Sequence, residues 1–178
     1  MTISAETAKA KNVAVFNVKF SENLGDGLIA ETIEKDLQQC RGIGRVVTRD
    51  LAGRQEYGTS PIRNRAQKLR ILGMLPPAMR RLVVQRTLSA RLAGLKGDWR
   101  KTVAAADHVV IGGGHLFQDD DLNFPSKIGA LLDICTEAGT PVSVFAVGVT
   151  AKWSKPARDL FGRLTCCRVA SVSVRDAA

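Results

Sequence analysis

Residues 12–27 read Asn12-Val-Ala-Val-Phe-Asn-Val18 followed by Lys19-Phe-Ser-Glu-Asn23-Leu-Gly25-Asp26-Gly27. The first seven are a short apolar run rich in β-branched residues, the pattern of a buried strand, and a polar, glycine-containing turn closes it. Leu28, Ile29, Ile33 and Leu37 then recur at helical spacing. Asp26 or Asn23 is placed to cap free amides at the helix start, and Gly42 and Gly44 to stop it before a strand Arg45-Val-Val-Thr48. Two strands joined through one helix pair in parallel.

The same rhythm returns further on. Asp107-His-Val-Val-Ile111 reads as a strand, Gly112-Gly-Gly114 as a tight turn, 128–138 as a helix and 141–147 as another buried strand. A helix over 155–167 and a strand over 170–174 follow. Strands alternating with helices of these lengths predict an α/β fold, a Rossmann-like parallel sheet with helices on both faces and its functional loops at the carboxyl ends of the strands. With 178 residues, 45% of them hydrophobic, the chain is long enough to bury one sizeable core, so residues 1–178 are read as a single α/β domain.

The net charge of +9 is unevenly placed. Residues 57–106 carry eleven Lys or Arg against the single acid Asp98, and this segment accounts for all of the positive excess. Its leucines, valines and alanines read as a basic helical insertion broken at Pro76-Pro77, either a solvated hairpin on the sheet edge or a surface for an anionic membrane or substrate. Nucleic acid is not expected, because Tyr57 and Trp99 are its only aromatics.

The first eleven residues lack the apolar core of a secretory leader, and no run of about 18 apolar residues exists to span a membrane, so a cytoplasmic protein is expected. Cys40, Cys135, Cys166 and Cys167 show no C-x-x-C spacing, and only His108 and His115 are available as imidazoles. No metal site or disulfide is therefore expected, and the vicinal pair is read as small apolar filler in a helix.

Several residues at the carboxyl edge have the chemistry for a site. Gly112, Gly113 and Gly114 let a ligand or a second backbone approach closely, which suits phosphate or carboxylate, although tight strand-to-helix packing asks for the same residues. No G-x-G-x-x-G or G-x-x-x-x-G-K-[ST] is completed, so nicotinamide and nucleoside-triphosphate cradles are unsupported. His115 and the run Asp119-Asp120-Asp121 supply acid and base candidates, or a merely solvated loop tip. His108, inside a strand, is read as a satisfied core residue. Asn17, Asn23, Gly25 and Asp26 stand where helix amides favour anions, or simply cap the helix. Arg175, beside Asp176, is able to grip a carboxylate or phosphate with two parallel hydrogen bonds, or to make a surface ion pair.

Asn23-Leu-Gly-Asp26, the block Asp107-His-Val-Val-Ile-Gly-Gly-Gly-His-Leu-Phe-Gln-Asp119, the strand 142–147 followed by Gly148, and Ser173-Val-Arg-Asp176 together resemble the polysaccharide pyruvyl transferase family. The resemblance implies transfer of the enolpyruvyl unit of phosphoenolpyruvate onto a sugar of a cell-surface polysaccharide or exopolysaccharide, as a ketal. It implies no cofactor beyond phosphoenolpyruvate as donor substrate. It makes Arg175 a donor contact and Asn23 and Gly112 to Gly114 backbone-lined positions beside the cleft, and it puts a histidine acid or base in a second domain; Gly25 and Asp26 join the substrate-binding candidates, and His115 and Asp119 are the catalytic candidates from their own chemistry. The acceptor is then a sugar or lipid-linked oligosaccharide, and the basic insertion suits peripheral contact with the inner face of an anionic membrane. It also implies the N-terminal half of a GT-B-type two-domain glycosyltransferase, whose second, catalytic domain has no counterpart in these residues, an incomplete or truncated form. Two other readings stay open: a non-catalytic α/β module docking on anionic membrane or a partner, and a sugar-nucleotide-dependent glycosyltransferase domain.

Overall fold

A computed structural model of the chain describes residues 10–58, 74, 76–119 and 121–175. Arg63, Arg65, Lys68, Arg70, Asp120 and Asp176 lie outside the described residues, as do the side chains of Arg80 and Arg81 and residues 1–9.

Five strands, β1 (Lys11–Asn17), β2 (Ile43–Asp50), β3 (His108–Gly112), β4 (Val142–Val147) and β5 (Val169–Val174), make one all-parallel sheet in the order β2-β1-β3-β4-β5. The helices are α1 (Leu24–Gln39), α2 (Pro77–Ala104), α3 (Asn123–Ala138) and α4 (Lys155–Phe161). From β1 the chain steps outward to β2 and then returns to β3 on the other side of β1. That reversal opens a crevice at the carboxyl ends of β1 and β3, the place where open sheets of this kind hold ligands.

The period-2 alternation of the strands sorts the core into two layers. Ala14, Phe16, Val109, Ile111, Val142 and Val144 face α2, α3 and α4, where Trp99, Val103, Ile128, Leu131 and Phe161 complete one cluster. Val13, Val15 and Val110 face the other way, against Ile29, Ile33 and Leu37 of α1. Leu28, grouped with these by spacing, is instead 67% exposed, on the outer side of α1. Helices thus cover both faces.

Local chemistry sets the boundaries. Asn23 caps α1 by accepting from the Gly25 amide at 3.1 Å. Pro77 opens α2, where its missing N–H costs nothing. The helix expected over 155–167 becomes α4 and then a 3-10 turn, Gly162–Cys166. Cys166 is exposed there rather than filling the core, and Cys167 lies just beyond the turn. Cys135 is the buried filler, its thiol pushed up to about 12 by burial and then by the nearby Cys167.

β5 is the outer strand and is exposed along its length. A polar row links it inward: Ser171 Oγ donates to Ser143 Oγ at 2.8 Å, and Ser143 Oγ lies 2.9 Å from His108 Nε2. His108 is therefore partly buried and hydrogen-bonded rather than a core residue. Burial, then the charge of Lys11, lowers its pKa from 6.5. A lowered folded pKa means the unfolded chain binds the proton first, so stability is full above about 6.5 and falls as pH drops below it. His108→Gln should flatten this fall. Thermal unfolding at pH 7.5 and pH 5 tests it, and an unchanged pH dependence in the variant would refute the assignment.

Candidate functional site

The β1–α1 loop and the triple-glycine loop meet at the crevice between β1 and β3. Ser21 Oγ donates to Asp26 Oδ2 at 2.9 Å, and the Asn23 amide donates to Ser21 Oγ at 3.0 Å, which fixes the first turn of α1. A Cβ on Gly114 would lie 3.0 Å from Asp26 Oδ1, so the two loops touch there. Asn23 and Gly25 are exposed beside them.

The glycines are consumed largely by this chain itself. A Cβ on Gly112 would stand 3.1 Å from the carbonyl oxygen of Phe145 in β4, and one on Gly113 would stand 2.8 Å from Ile29 Cγ2 of α1. Gly113 and Gly114 both have φ of +78°, a region that side chains disfavour. The Gly113 amide donates to the Phe145 carbonyl at 3.1 Å. Close packing of β4 against Gly112 and of α1 against Gly113 and Gly114 explains the absence of side chains at the three positions.

His115 is half-buried at the next position. Its ring lies so close to the end of β4 that a Cβ on Gly148 would come within 2.4 Å of Nδ1. Its imidazole makes no hydrogen bond among the described residues. Asp119 turns away from the crevice and accepts the Ser154 amide at 2.7 Å at the start of α4. The Ser154 hydroxyl, followed by that amide, holds its carboxyl below the usual carboxylate range. Arg175, just past β5, is exposed, and its amide donates to the Val147 carbonyl at 2.9 Å. At one strand spacing per step, Arg175 stands about 10 Å along the edge from the end of β3.

The structure therefore brings Asp26 and Gly114 together at the crevice, sets the His115 ring beside Gly148 at the end of β4, puts Arg175 on the same edge, and takes Asp119 aside to hold the β4–α4 turn. Two features could not be read along the chain. The first is the state of Asn17, which is 1% exposed: its Oδ1 accepts from the Lys19 amide, and its Nδ2 is buried without a partner at the end of β1. An orphaned donor of this kind costs about 1–3 kcal/mol, and such groups collect where ligands or waters bind. The second is the approach of the His115 ring to Gly148, legible only once β4 is set beside β3. Among the described residues no three His, Cys, Asp or Glu side chains come together in a way that would hold a metal ion, and no helix is long and apolar enough to cross a membrane.

A family model described as polysaccharide pyruvyl transferase matches residues 23–178, which takes in Asn23, Asp26, the triple-glycine loop and Arg175. No curated protein matches the chain.

Proposed function

The chain belongs to the polysaccharide pyruvyl transferase family, and from that membership we propose that its carboxyl edge binds phosphoenolpyruvate and presents the enolpyruvyl unit to a polysaccharide hydroxyl. The observation that carries this reading is the gathering of polar groups along one sheet edge: Asp26 against Gly114, His115 against Gly148, and Arg175 past the end of β5.

Each group acts on a different part of the reaction. Arg175 pairs with the donor's carboxylate or phosphate, where a guanidinium offers two parallel N–H donors. His115 delivers a proton to the donor's methylene carbon, which makes the adjacent carbon electrophilic. A sugar hydroxyl adds there and phosphate leaves. A second hydroxyl of the sugar then closes the ketal, so one phosphoenolpyruvate and one diol give one ketal and one phosphate. Asp26 and Asn23 accept and orient sugar hydroxyls at the mouth of the crevice. Asp119, held ionised by Ser154, is a poor proton donor and serves to position the turn beside His115.

Calorimetric titration with phosphoenolpyruvate at low salt tests this. Charge-assisted hydrogen bonds contribute about 1.5–3 kcal/mol each, so Arg175→Ala, which removes two of them, should weaken binding by at least about a hundredfold. Equal affinity in wild type and variant would contradict the role of Arg175. Displacement of phosphoenolpyruvate by a sugar nucleotide would favour a glycosyltransferase instead.

A further inference from the structure

At the β2 end of the same carboxyl edge lies a cavity of about 440 Å³, walled by Phe20 of the β1–α1 loop, the end of β2, residues 53–55 and the C-terminal half of α2. That volume lies within the range that holds small ligands. Its charges are balanced in pairs. The buried Asp50 carboxylate accepts from the Phe20 amide at 3.1 Å, the Ala52 amide at 2.7 Å and Arg54 Nε at 3.1 Å, with Arg54 Nη2 at 3.0 Å. Arg49 Nε donates to Asp98 Oδ2 at 2.7 Å, and its Nη1 donates to the Thr48 carbonyl.

Two cations and two anions leave the wall with no net charge. One terminal nitrogen on each guanidinium, Arg49 Nη2 and Arg54 Nη1, makes no hydrogen bond among the described residues, and the Gln55 side chain is exposed beside them. The remaining wall holds Thr48, whose buried Oγ1 has no hydrogen-bond partner among the described residues, and an apolar side of the Phe20 ring, Leu95, Trp99 and Gly53 at φ +74°, where a Cβ would come within 2.5 Å of Leu95 Cδ2. An anion such as phosphoenolpyruvate, which carries both a carboxylate and a phosphate, needs uncompensated cations, which this wall does not offer. A neutral ring bearing several hydroxyls and one C–H face fits both the donor and acceptor groups and the apolar side.

We propose that this cavity is a subsite for a neutral pyranose unit of the polysaccharide acceptor, which rests on the family function proposed above. β2 stands two strands from β3 and three from β4, about 10–14 Å along the edge. The cavity therefore holds a sugar unit remote from the one that receives the ketal, and the polysaccharide lies along the carboxyl edge between them.

The test follows the backbone amides of the isotopically labelled chain by NMR during titration with the methyl pyranosides of glucose, galactose and mannose. At least one should bind saturably in the millimolar range and move the amides of Gly53 and Gln55. Gln55→Trp places an indole at the mouth from an exposed position and should weaken that binding at least tenfold while leaving the melting temperature unchanged. Asp98→Asn leaves Arg49 uncompensated and should raise the affinity for inorganic phosphate several-fold. The subsite is refuted if no glycoside moves these amides, if Gln55→Trp binds as wild type does, or if inorganic phosphate displaces the glycoside from the wild-type chain. Phosphoenolpyruvate binding is read separately by calorimetry. Its presence without glycoside binding sinks the subsite alone, and glycoside binding without it sinks the donor reading while keeping the cavity as a sugar site.

Discussion

Gly113→Val is expected to destabilise the chain by about 2–6 kcal/mol, the sum of about 1–3 for a β-branched residue in left-handed backbone and about 1–3 for overpacking. Gly113 has φ +78°, and a Cβ there would stand 2.8 Å from Ile29 Cγ2 and 3.3 Å from Ile33 Cδ1. Either α1 lifts off the loop or the loop leaves the crevice. For a chain of this length the loss lowers the melting temperature by roughly 5–20 °C. Gly139→Val is the control, because Gly139 has φ +66° with nothing within 4 Å of its Cβ position. It should show the backbone strain without the overpacking. Equal losses at both positions would mean that the space over Gly113 is open, and that α1 is not what the triple glycine accommodates.

Trp99→Ala should cost about 3–5 kcal/mol, the usual range for removing a large aromatic side chain from a core. Trp99 is 1% exposed and meets Phe16 of β1 edge-on, with ring centroids 5.8 Å apart. It is the largest fully buried side chain on α2, alongside Val103. The C-terminal half of this helix is thereby fastened to the sheet, and the cavity beside Arg49 and Arg54 loses a wall when the ring is removed. A melting temperature lower by about 6–20 °C is expected, with Trp99→Phe retaining a substantial part of the stability. A loss under about 1 kcal/mol would show that α2 is held by other contacts.

The strands were legible because parallel strands buried on both faces are nearly continuous apolar runs, as in Val13 to Phe16 and Val109 to Ile111. The sheet class and the crevice follow from those runs and the glycines between them. Helix ends were less legible. α3 begins at Asn123, five residues before the expected 128, because Pro125 is tolerated in a first turn and the chain enters through Leu122 at φ 62°, which no residue type announces. The 3-10 turn after Phe161 was likewise hidden in an apparently continuous helix.

At the site, the sequence places His115, Asp119 and Asp26 near one edge but cannot tell which of them is already engaged. Asp119 is bound by Ser154, thirty-five residues away in the chain, and only packing brings them together. The cavity at β2 is invisible for the same reason, since it joins Phe20, Asp50, Arg54 and Asp98 from three separate stretches. Its ingredients are two ordinary ion pairs when read along the chain.

Binding of phosphoenolpyruvate at the carboxyl edge that carries Asp26, Gly114, His115 and Arg175 is what the proposed function stands on. Its most direct test is an amide NMR titration of the full chain with phosphoenolpyruvate at low salt. Saturable shifts at Gly114, His115, Gly148 and Arg175, with those at Gly114 and His115 lost in Arg175→Ala, are the predicted result. Shifts confined to the exposed Arg86, Arg91 and Lys101 of α2, or no saturable shift, would contradict it.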